Sequence, residues 1–448
     1  MGNANVPAGV ALVHSDEVEN TYRKVALRIV PLTVVAYIIA YIDRVNVGFA
    51  KLQFMQDLGF SEAVYGLGAG LFFIGYMLFE IPSNLYLEKV GARLTLARIM
   101  ILWGLISAGM AFVSSPVQFY VMRFLLGAAE AGFFPGIILY LSYWFPSERR
   151  ARITSFFTMG GAVAGIIGSP LSGWLLTLDG LHGLRGWQVV FIYEGIPAVA
   201  LGVFAYLYMD DKPQKVKWLS TREKDIVVNN LQADRQSVDS ADHSTLRQAF
   251  RDPIVYVLAI AYIAVIAGTS TVALWAPTVL RGLGVTPSMI GILTGAPFIL
   301  AVAAMYLLGL SSDRMLERRW HYAGAISAAG ASLILLGLGT GNVPLTVALI
   351  AVAASGAWAS LPVFWTIPPA YLSGTARAGG IAFISSVGAI GGFISPTIVG
   401  GITSLTGSLY YGLAGVGAML ILSAVILLLG IQSKTIHERK VELQGATA

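Results

Sequence analysis

Residues 117–143 read VQFYVMRFLLGAAEAGFFPGIILYLSY. A helix needs about 20 apolar residues to cross the hydrocarbon core of a bilayer, so this run is long enough to span a membrane. It also carries Arg123 and Glu130, and an ionisable side chain inside a membrane is costly enough that a functional role is the default hypothesis. The stretch therefore predicts a transmembrane helix that contributes charged groups to a site.

The rest of the chain has the composition of a membrane protein. Of its 448 residues, 56% are hydrophobic and only 12% are charged, and the mean hydropathy is +0.72. Soluble domains carry about 25% charged residues. The absence of cysteine excludes disulfides, thiolate catalysis and Cys-ligated metals. Twelve apolar runs have spanning length, at about 26–49, 63–87, 94–114, 117–143, 151–175, 188–209, 253–279, 287–311, 321–340, 344–371, 378–403 and 409–431.

The basic residues predict how the chain crosses the membrane. With the N-terminus in the cytoplasm, 24 of the 29 Lys and Arg residues fall in cytoplasmic gaps between runs. Three fall on the opposite face (Lys51, Arg185 and Arg281), and Arg44 and Arg123 lie inside runs. Because positive charge is enriched in cytoplasmic loops, both termini are predicted to be cytoplasmic. The net charge of +5 then reflects topology, and no nucleic-acid partner is expected.

Short matches between the two halves of the chain indicate an internal duplication. They recur at an offset of 225 or 226 residues, and pair Glu88-Lys89 with Asp313-Arg314, Ala151-Arg152 with Ala376-Arg377, and Ser169-Pro170 with Ser395-Pro396. The sequence predicts an all-α membrane protein with 12 transmembrane helices in two six-helix bundles. The predicted units are an N-terminal tail at 1–25, bundles at 26–209 and 253–431, a cytoplasmic linker at 210–252 and a tail at 432–448.

Spans five and eleven carry glycines and a proline at matched places, with Pro170 in one and Pro396 in the other. Small residues let helices pack closely, and proline lets them bend. We therefore expect both spans to be interrupted at equivalent positions and to line a cavity between bundles that move. Tight packing alone is the competing interpretation.

Ionisable residues that lie well inside the runs are confined to the first half of the chain. They are Asp43 and Arg44 in span one, Glu80 in span two, Arg123 and Glu130 in span four, and Glu194 near the outer end of span six. Glu80 and Glu194 lie nearer to span ends, and a static packing role is the competing interpretation for both. The remaining four sum to zero charge.

In span four, Arg123, Gly127, Glu130 and Phe134 recur at helical spacing and share one face. Arg123 and Glu130 should lie about 10 Å apart along the axis, and Gly127 is expected to leave open space between them. In span one, Tyr37, Tyr41 and Arg44 share a stripe, and Asp43 points about 100° away from it.

Two guanidinium groups in a low-dielectric cavity attract an anion, because arginine stays charged and grips a carboxylate with two N–H donors. Burial favours the neutral form of a carboxyl group, so Asp43 and Glu130 are candidate proton carriers. Proton loading would free the arginines for an anionic substrate, and proton release would restore internal ion pairs. Candidate contacts in the second half are Trp275, Trp358, Phe364, Trp365, Ser385 and Ser386.

Several motifs resemble those of major facilitator superfamily transporters of the anion:cation symporter family, which carry sugar acids, tartrate, phthalate and related carboxylates. The most specific are RFLLGAAEAGFFPG from Arg123 and YIDRVN from Tyr41. GWQ from Gly186 and KWL from Lys217 support them. The superfamily loop motif is present as NLYLEKVGAR from Asn84, with Asn84 and Ala92 departing from the usual residues, and again as GLSSDR from Gly309.

The resemblance implies roles for individual residues. Asp43 and Glu130 match proton-coupling carboxylates, and Arg44 and Arg123 match substrate-orienting arginines. Substrate-binding positions are further implied for Tyr41, Tyr76, Trp365 and Ser385, where Ser385 stands in place of a common Asn. Conformational roles are implied for Glu88, Lys89, Gly91, Arg93, Asp313 and Arg314. Pro170 and Pro396 are conformational candidates from the matched interruptions of spans five and eleven.

We therefore expect proton-coupled uptake of an organic carboxylate by alternating access. The protein should work as a monomer in a bacterial inner membrane, with no metal and no cofactor besides the proton. Antiport or sodium coupling of the same carrier stays open, as do a membrane-embedded enzyme or sensor and a channel. The five histidines lie outside span interiors and no catalytic constellation accompanies the hydroxyl groups, which argues against an enzyme.

Overall fold

The computed structural model describes residues 15–239, 252–315, 317–339, 341–368 and 374–431, and none of these residues forms a β-strand. A bilayer offers no hydrogen-bond partners to a backbone, so apolar segments satisfy their own N–H and C=O groups as helices. The N-terminal half contains α1 (Ser15–Leu58), α2 (Glu62–Val90), α3 (Ala92–Gly109), α4 (Pro116–Glu130), α5 (Phe133–Ser142), α6 (Ser147–Leu175) and α7 (Gly186–Tyr208).

A linker helix, α8 (Thr221–Asp239), separates the halves. The C-terminal half contains α9 (Pro253–Gly282), α10 (Pro287–Met315), α11 (Arg319–Gly337), α12 (Val343–Trp365), α13 (Gly374–Gly388), α14 (Ile390–Thr406) and α15 (Leu409–Gly430). Short 3₁₀ turns lie at Met110–Phe112, Leu181–Gly183 and Pro213–Lys215.

The described residues contain 11 helical spans long and apolar enough to cross a membrane, with α4 and α5 together forming one of them. The remaining predicted span is α11, whose first turn carries the polar sequence Arg-Trp-His-Tyr. It packs along α12 and α15 inside the C-terminal half. The predicted all-α, twelve-span architecture is confirmed, with span eleven divided between α13 and α14.

Span four is broken directly after Glu130. The chain turns at Gly132, whose φ of +82° lies in the left-handed region that glycine adopts without strain. A Cβ at this position would lie 2.6 Å from Cβ and Oγ of Ser83 on α2, so the turn is also tightly packed. The break places Glu130 at the end of a helix, where the backbone no longer continues in register with Phe134.

The two halves contact each other through equivalent helix pairs, α2 with α14 and α6 with α10. In the first pair Gly66 lies against Gly400, and in the second Gly291 lies against Gly173. A Cβ added to Gly66 or to Gly291 would be 3.1 Å or less from the backbone of the other helix. Gly291 follows Gly66 by 225 positions, which is the spacing of the duplication. The repeat therefore builds a pseudo-symmetric interface between the halves.

The expected interruption of spans five and eleven occurs in one of them only. Span eleven changes helix at Ala389, between α13 and α14, but α6 runs without a break through Pro170. The expectation was wrong for span five. Gly391 next to the break packs so closely on α9 that a Cβ would lie 2.1 Å from the Ile263 carbonyl oxygen, whereas Pro170 packs its ring against Gly295 and the helix continues.

The linker helix α8 is attached to the N-terminal half. The Trp218 ring stacks on Trp144 with centroids 5.6 Å apart, and its indole N–H donates to Asp210 at 2.9 Å. Lys24 of α1 pairs with Glu223 of α8 at 2.9 Å. The first part of the predicted linker is therefore ordered on one bundle, and residues 240–251 lie outside the described residues.

Candidate functional site

Arg44 and Glu130 form a salt bridge between α1 and α4. Glu130 is 2% exposed, whereas the Arg44 side chain is 23% exposed, so the carboxylate is buried and the arginine is partly accessible. The space to which Arg44 is exposed is here called the cavity. The Arg44 guanidinium carbon lies 5.2 Å from the ring centroids of both Phe72 and Tyr76 on α2. Cation–π contacts and the carboxylate together hold the guanidinium in place.

Aromatic side chains from both halves surround this pair. Tyr37 and Tyr41 lie one turn apart on α1, and Tyr41 makes an edge contact with Trp358 of α12 at 5.3 Å between centroids. Tyr262 of α9 stands against Trp365 at 4.7 Å. The Tyr41–Trp358 contact places the predicted position Tyr41 where the two halves meet, and Trp365 packs on Tyr262 within the C-terminal half.

Tyr262 was not among the residues predicted from the sequence. Its ring centroid lies 5.1 Å from that of Phe364 and 4.7 Å from that of Trp365. A tyrosine in the middle of an otherwise apolar span was the available signal, because a buried phenol needs a polar partner. The second half thus contributes a phenol group beside the predicted position Trp365.

Arg123 is fully buried beneath the same cluster. Its Nη2 donates to the Ala69 carbonyl at 3.4 Å, and its guanidinium carbon lies 4.9 Å from the Phe72 ring centroid. Nε and Nη1 have no hydrogen-bond partner among the described residues. Arg44 and Arg123 therefore contact one phenylalanine ring, and Arg123 has unused donor capacity although it is not exposed in this conformation.

The expectation that Gly127 leaves open space was wrong. A Cβ at this position would lie 1.8 Å from the Phe72 carbonyl oxygen and 3.0 Å from the Tyr76 amide nitrogen. The glycine is a contact point at which α4 and α2 approach backbone to backbone. This close approach brings Phe72 and Tyr76 to the arginines.

Asp43 faces away from the cavity. It is 1% exposed, and its Oδ1 accepts hydrogen bonds from the Ser107 hydroxyl of α3 and from Asn46 Nδ2 at 3.0 Å. Because Asp43 and Arg44 are consecutive on a helix, their side chains diverge by about 100°. The two candidate proton carriers thus lie in different surroundings, Glu130 paired to an arginine and Asp43 held by neutral groups.

Trp275, another predicted position, lies apart from this cluster. Trp275 is buried on the face that the charge distribution predicts to be extracellular, here called the outer face, where its ring lies 3.8 Å from Lys51 Nζ. Lys51 is 3% exposed and pairs with Glu62 at 2.6 Å. Ser385 is half-buried on α13, and Pro170 and Pro396 lie at the contacts between the halves.

The described residues of the two predicted loop motifs make contacts within their own halves. Gly91 turns the chain at φ +107°, and Arg93 donates to the Tyr206 carbonyl at 2.6 Å and, through its backbone N–H, to Asp211 at 2.8 Å. Asp313 pairs with Arg318 at 2.5 Å. The exposed side chains are those of Glu88, Lys89, Asp313 and Arg314. The described residues contain no cluster of three or more His, Cys, Asp or Glu that could hold a metal ion.

Comparison with known proteins agrees with this architecture. The Major Facilitator Superfamily profile matches residues 33–280 and 258–446. The fold is similar to a bacterial homologue of the human lysosomal transporter Spinster, with a TM-score of 0.71 at 16% identity, covering 94% of this chain and 97% of that one. A D-xylose–proton symporter also has a TM-score of 0.71 at 16% identity, covering 91% and 98%.

Curated relatives are much closer in sequence. A putative tartrate transporter of Agrobacterium vitis is 45% identical over 426 residues, covering 95% of this chain and 98% of the relative. The putative metabolite transport protein NicT of Pseudomonas putida is 43% identical over 431 residues, covering 94% and 97%. The expectations of a transporter rather than an enzyme, and of a multi-pass bacterial inner-membrane protein, are confirmed. The chain belongs to the major facilitator superfamily.

Proposed function

We propose that the protein is a symporter that uses the proton gradient to take up an organic carboxylate by alternating access. The observation that carries the proposal is the Arg44–Glu130 salt bridge at the edge of the cavity. While Glu130 is ionised, it occupies the guanidinium that an incoming carboxylate needs. Protonation of Glu130 removes the competing charge, and a substrate carboxylate can then take its place and accept from two guanidinium N–H donors.

The chemistry of the cavity suits a small polar anion. Arg44 supplies charge, and Tyr37, Tyr76 and Tyr262 supply phenol groups that can donate to hydroxyl or carboxylate oxygens. Trp358 and Trp365 form apolar walls. A tartrate-like acid fits this combination, and the curated relative described as a putative tartrate transporter makes tartrate the first acid to test.

Closure of the outer face supports alternating access. Gly66 against Gly400 and Gly173 against Gly291 bring the halves together at that face, and Tyr65 donates from α2 to the Leu274 carbonyl of α9 at 3.2 Å. A substrate that enters from outside needs these contacts to separate. Rocking of the halves about the site would open the outer contacts and close the opposite side.

The test is uptake of radiolabelled tartrate, and of a panel of sugar acids and aromatic carboxylates, into proteoliposomes with an acidic exterior. We expect accumulation that a protonophore abolishes, together with acidification of the lumen. Glu130→Gln should lose gradient-driven accumulation and retain exchange of internal for external substrate. Asp225→Asn, which changes an exposed carboxylate of α8 in the same way, is the matched control.

Substrate accumulation driven by a sodium gradient in the absence of a pH gradient would support sodium coupling and contradict proton coupling. Uptake that requires an internal counter-anion would indicate antiport. Gradient-driven accumulation by Glu130→Gln at the wild-type rate would remove Glu130 from the coupling mechanism.

A further inference from the structure

Glu194 is a buried carboxyl group that the cavity does not use. It lies on α7 and is 3% exposed. The Ser172 hydroxyl of α6 donates to its Oε1 at 2.7 Å, and Oε2 has no hydrogen-bond partner among the described residues. An ionised carboxylate with one oxygen unpartnered in a low-dielectric interior is costly. The surroundings therefore favour a group that carries a proton for part of its working cycle.

Asn46 connects Glu194 with Asp43. The Asn46 side chain is fully buried and donates to Asp43 Oδ1 at 3.0 Å, while its own Oδ1 has no hydrogen-bond partner among the described residues. The register of α1 against α7, described below, places Asn46 at the depth of Glu194. The hydroxyl of Ser172 comes from α6, and α3 supplies Ser107 to the other end of the cluster.

Asp43 needs a proton source other than the cavity. Its neighbour Arg44 reaches the cavity with a side chain that is 23% exposed, whereas Asp43 is 1% exposed and points into the N-terminal half. A proton that reaches Asp43 must therefore pass between the helices of that half. Glu194 is a buried ionisable group in that interior, and it lies at the depth of Asn46, the hydrogen-bond partner of Asp43.

The register of α1 against α7 extends this cluster toward the outer face. Gln53 of α1 accepts from the Trp187 backbone N–H of α7 at 3.0 Å. Gln53 lies seven residues after Asn46, and Trp187 lies seven residues before Glu194. Because the two helices are antiparallel, Asn46 and Glu194 lie at the same depth. One turn further out, Asp57 accepts from the Trp187 indole N–H at 2.9 Å. Asn46, Gln53 and Asp57 thus follow one face of α1, from Asp43 and Glu194 to the surface.

We propose that Glu194 is a proton-transfer residue on a route from the outer face to Asp43 that runs inside the N-terminal half, apart from the substrate cavity. The O–H bond of protonated Glu194 breaks, the proton binds a carboxylate oxygen of Asp43, and Glu194 is left as a carboxylate. A proton from the outer solution, entering along the Asp57 and Gln53 side of α1, restores it. This inference rests on the proton coupling proposed above.

The experiment compares two fluxes in proteoliposomes containing the full chain. The probe is labelled tartrate, or the acid from the panel that the wild type takes up fastest. Proton-driven uptake, with lumenal acidification followed by a pH-sensitive dye, requires proton delivery in every cycle. Substrate exchange at equal pH does not, because the carrier can stay protonated. Loss of a general acid–base group typically costs about 100-fold or more in rate.

We therefore expect Glu194→Gln to lower proton-driven uptake and lumenal acidification about 100-fold, while exchange and substrate affinity stay at wild-type values. Glu194→Asp keeps an ionisable group and should restore part of the proton-driven rate. Ser172→Ala removes the hydrogen bond but keeps the carboxyl group, so its proton-driven rate should stay far above that of Glu194→Gln.

If Glu194 had only a structural role, Glu194→Gln would lower exchange and proton-driven uptake together, and that result would overturn the inference. Wild-type rates of both fluxes in Glu194→Gln would also overturn it. If Glu194→Gln does not fold, the test is the pH dependence of proton-driven uptake by Glu194→Asp. A pH dependence identical to that of the wild type would then overturn the inference. Transport of substrate by the wild type without proton influx would contradict the proposed proton coupling itself. Proton influx in the wild type together with an equal proton influx in Glu194→Gln would contradict only the role of Glu194.

Discussion

Asp43 and Arg44 are adjacent in the chain but face different parts of the N-terminal half. Arg44 forms a salt bridge with Glu130 at the cavity edge, and Asp43 accepts hydrogen bonds from Ser107 and Asn46 between the helices. The helical turn of about 100° per residue separates them. In the proposed mechanism, this separation lets Arg44 bind the substrate anion while Asp43 carries a proton.

Arg44→Lys should weaken tartrate binding about tenfold. An ammonium group keeps the charge but cannot reproduce the fork of two N–H donors, and losing one charge-assisted hydrogen bond costs about 1.5 kcal/mol or more. Calorimetric titration at acidic pH, where Glu130 competes least, measures the change. Arg222→Lys, at an exposed pair with Glu17, is the matched control. Equal affinities for Arg44→Lys and wild type would exclude Arg44 from the binding site.

Gly127→Ala should destabilise the protein, because the new methyl group would overlap the Phe72 carbonyl oxygen at 1.8 Å and must push α2 from α4. Overpacking of this kind costs about 1–3 kcal/mol. Thermal unfolding in detergent should show a lower midpoint. Gly324→Ala on α11 is the control, since a Cβ there meets no atom within 4 Å, and alanine favours a helix by about 1 kcal/mol. An unchanged midpoint for Gly127→Ala would contradict the described α2–α4 contact.

Trp275→Ala should shift the protein toward conformations open on the outer face. The indole ring lies 3.8 Å from buried Lys51 and covers its charge where the halves meet, and desolvated cation–π contacts contribute about 2 kcal/mol. Because the chain has no cysteine, spin labels at Gln56→Cys and Ser288→Cys report the outer distance specifically. We expect a larger long-distance population in the variant.

Replacement of an exposed tryptophan, Trp320→Ala, should leave that distance distribution unchanged. A distribution for Trp275→Ala identical to that of the parent pair would show that the Lys51 cluster does not hold the outer face closed.

The attachment of α8 should weaken in acid. Partial burial opposes ionisation of Glu223, but the Ser220 backbone N–H and the Lys24 ammonium group outweigh it and lower the pKa of Glu223 below its ordinary value of 4.5. The ionised form thus stabilises the docked helix above that pH, and the contribution is lost as the pH falls through the lowered pKa. Hydrogen exchange of α8, measured relative to the intrinsic rate of an unprotected amide at each pH, should rise on this descent.

Glu223→Gln removes the titrating group and should show faster α8 exchange at neutral pH, with a smaller further rise in acid. Glu19→Gln, at an exposed pair with Arg149, is the control. Acid-induced exchange of the same size in Glu223→Gln and wild type would assign the pH dependence to another group.

The sequence by itself determined the membrane fold. Apolar runs of spanning length predict helices, because a backbone inside a bilayer must satisfy its own hydrogen bonds. The duplicated motifs indicate two similar bundles. Both properties are local and repeat along the chain, so the sequence shows them directly. The identities of the buried charges were equally readable, since so few ionisable residues lie inside the runs. The face of Asp43 relative to Arg44 followed from helical periodicity alone.

Only the tertiary structure decided which groups meet. Gly127 could have marked a cavity or a close contact, and the backbone of α2 fills the place of its side chain. The position of Lys51 between two apolar runs predicts an exposed side chain, yet Trp275 from the other half covers it. Ser107 and Ser172 carry no signal in the sequence that joins them to Asp43 and Glu194. Such contacts join residues far apart in the chain, and they depend on how helices pack rather than on local pattern.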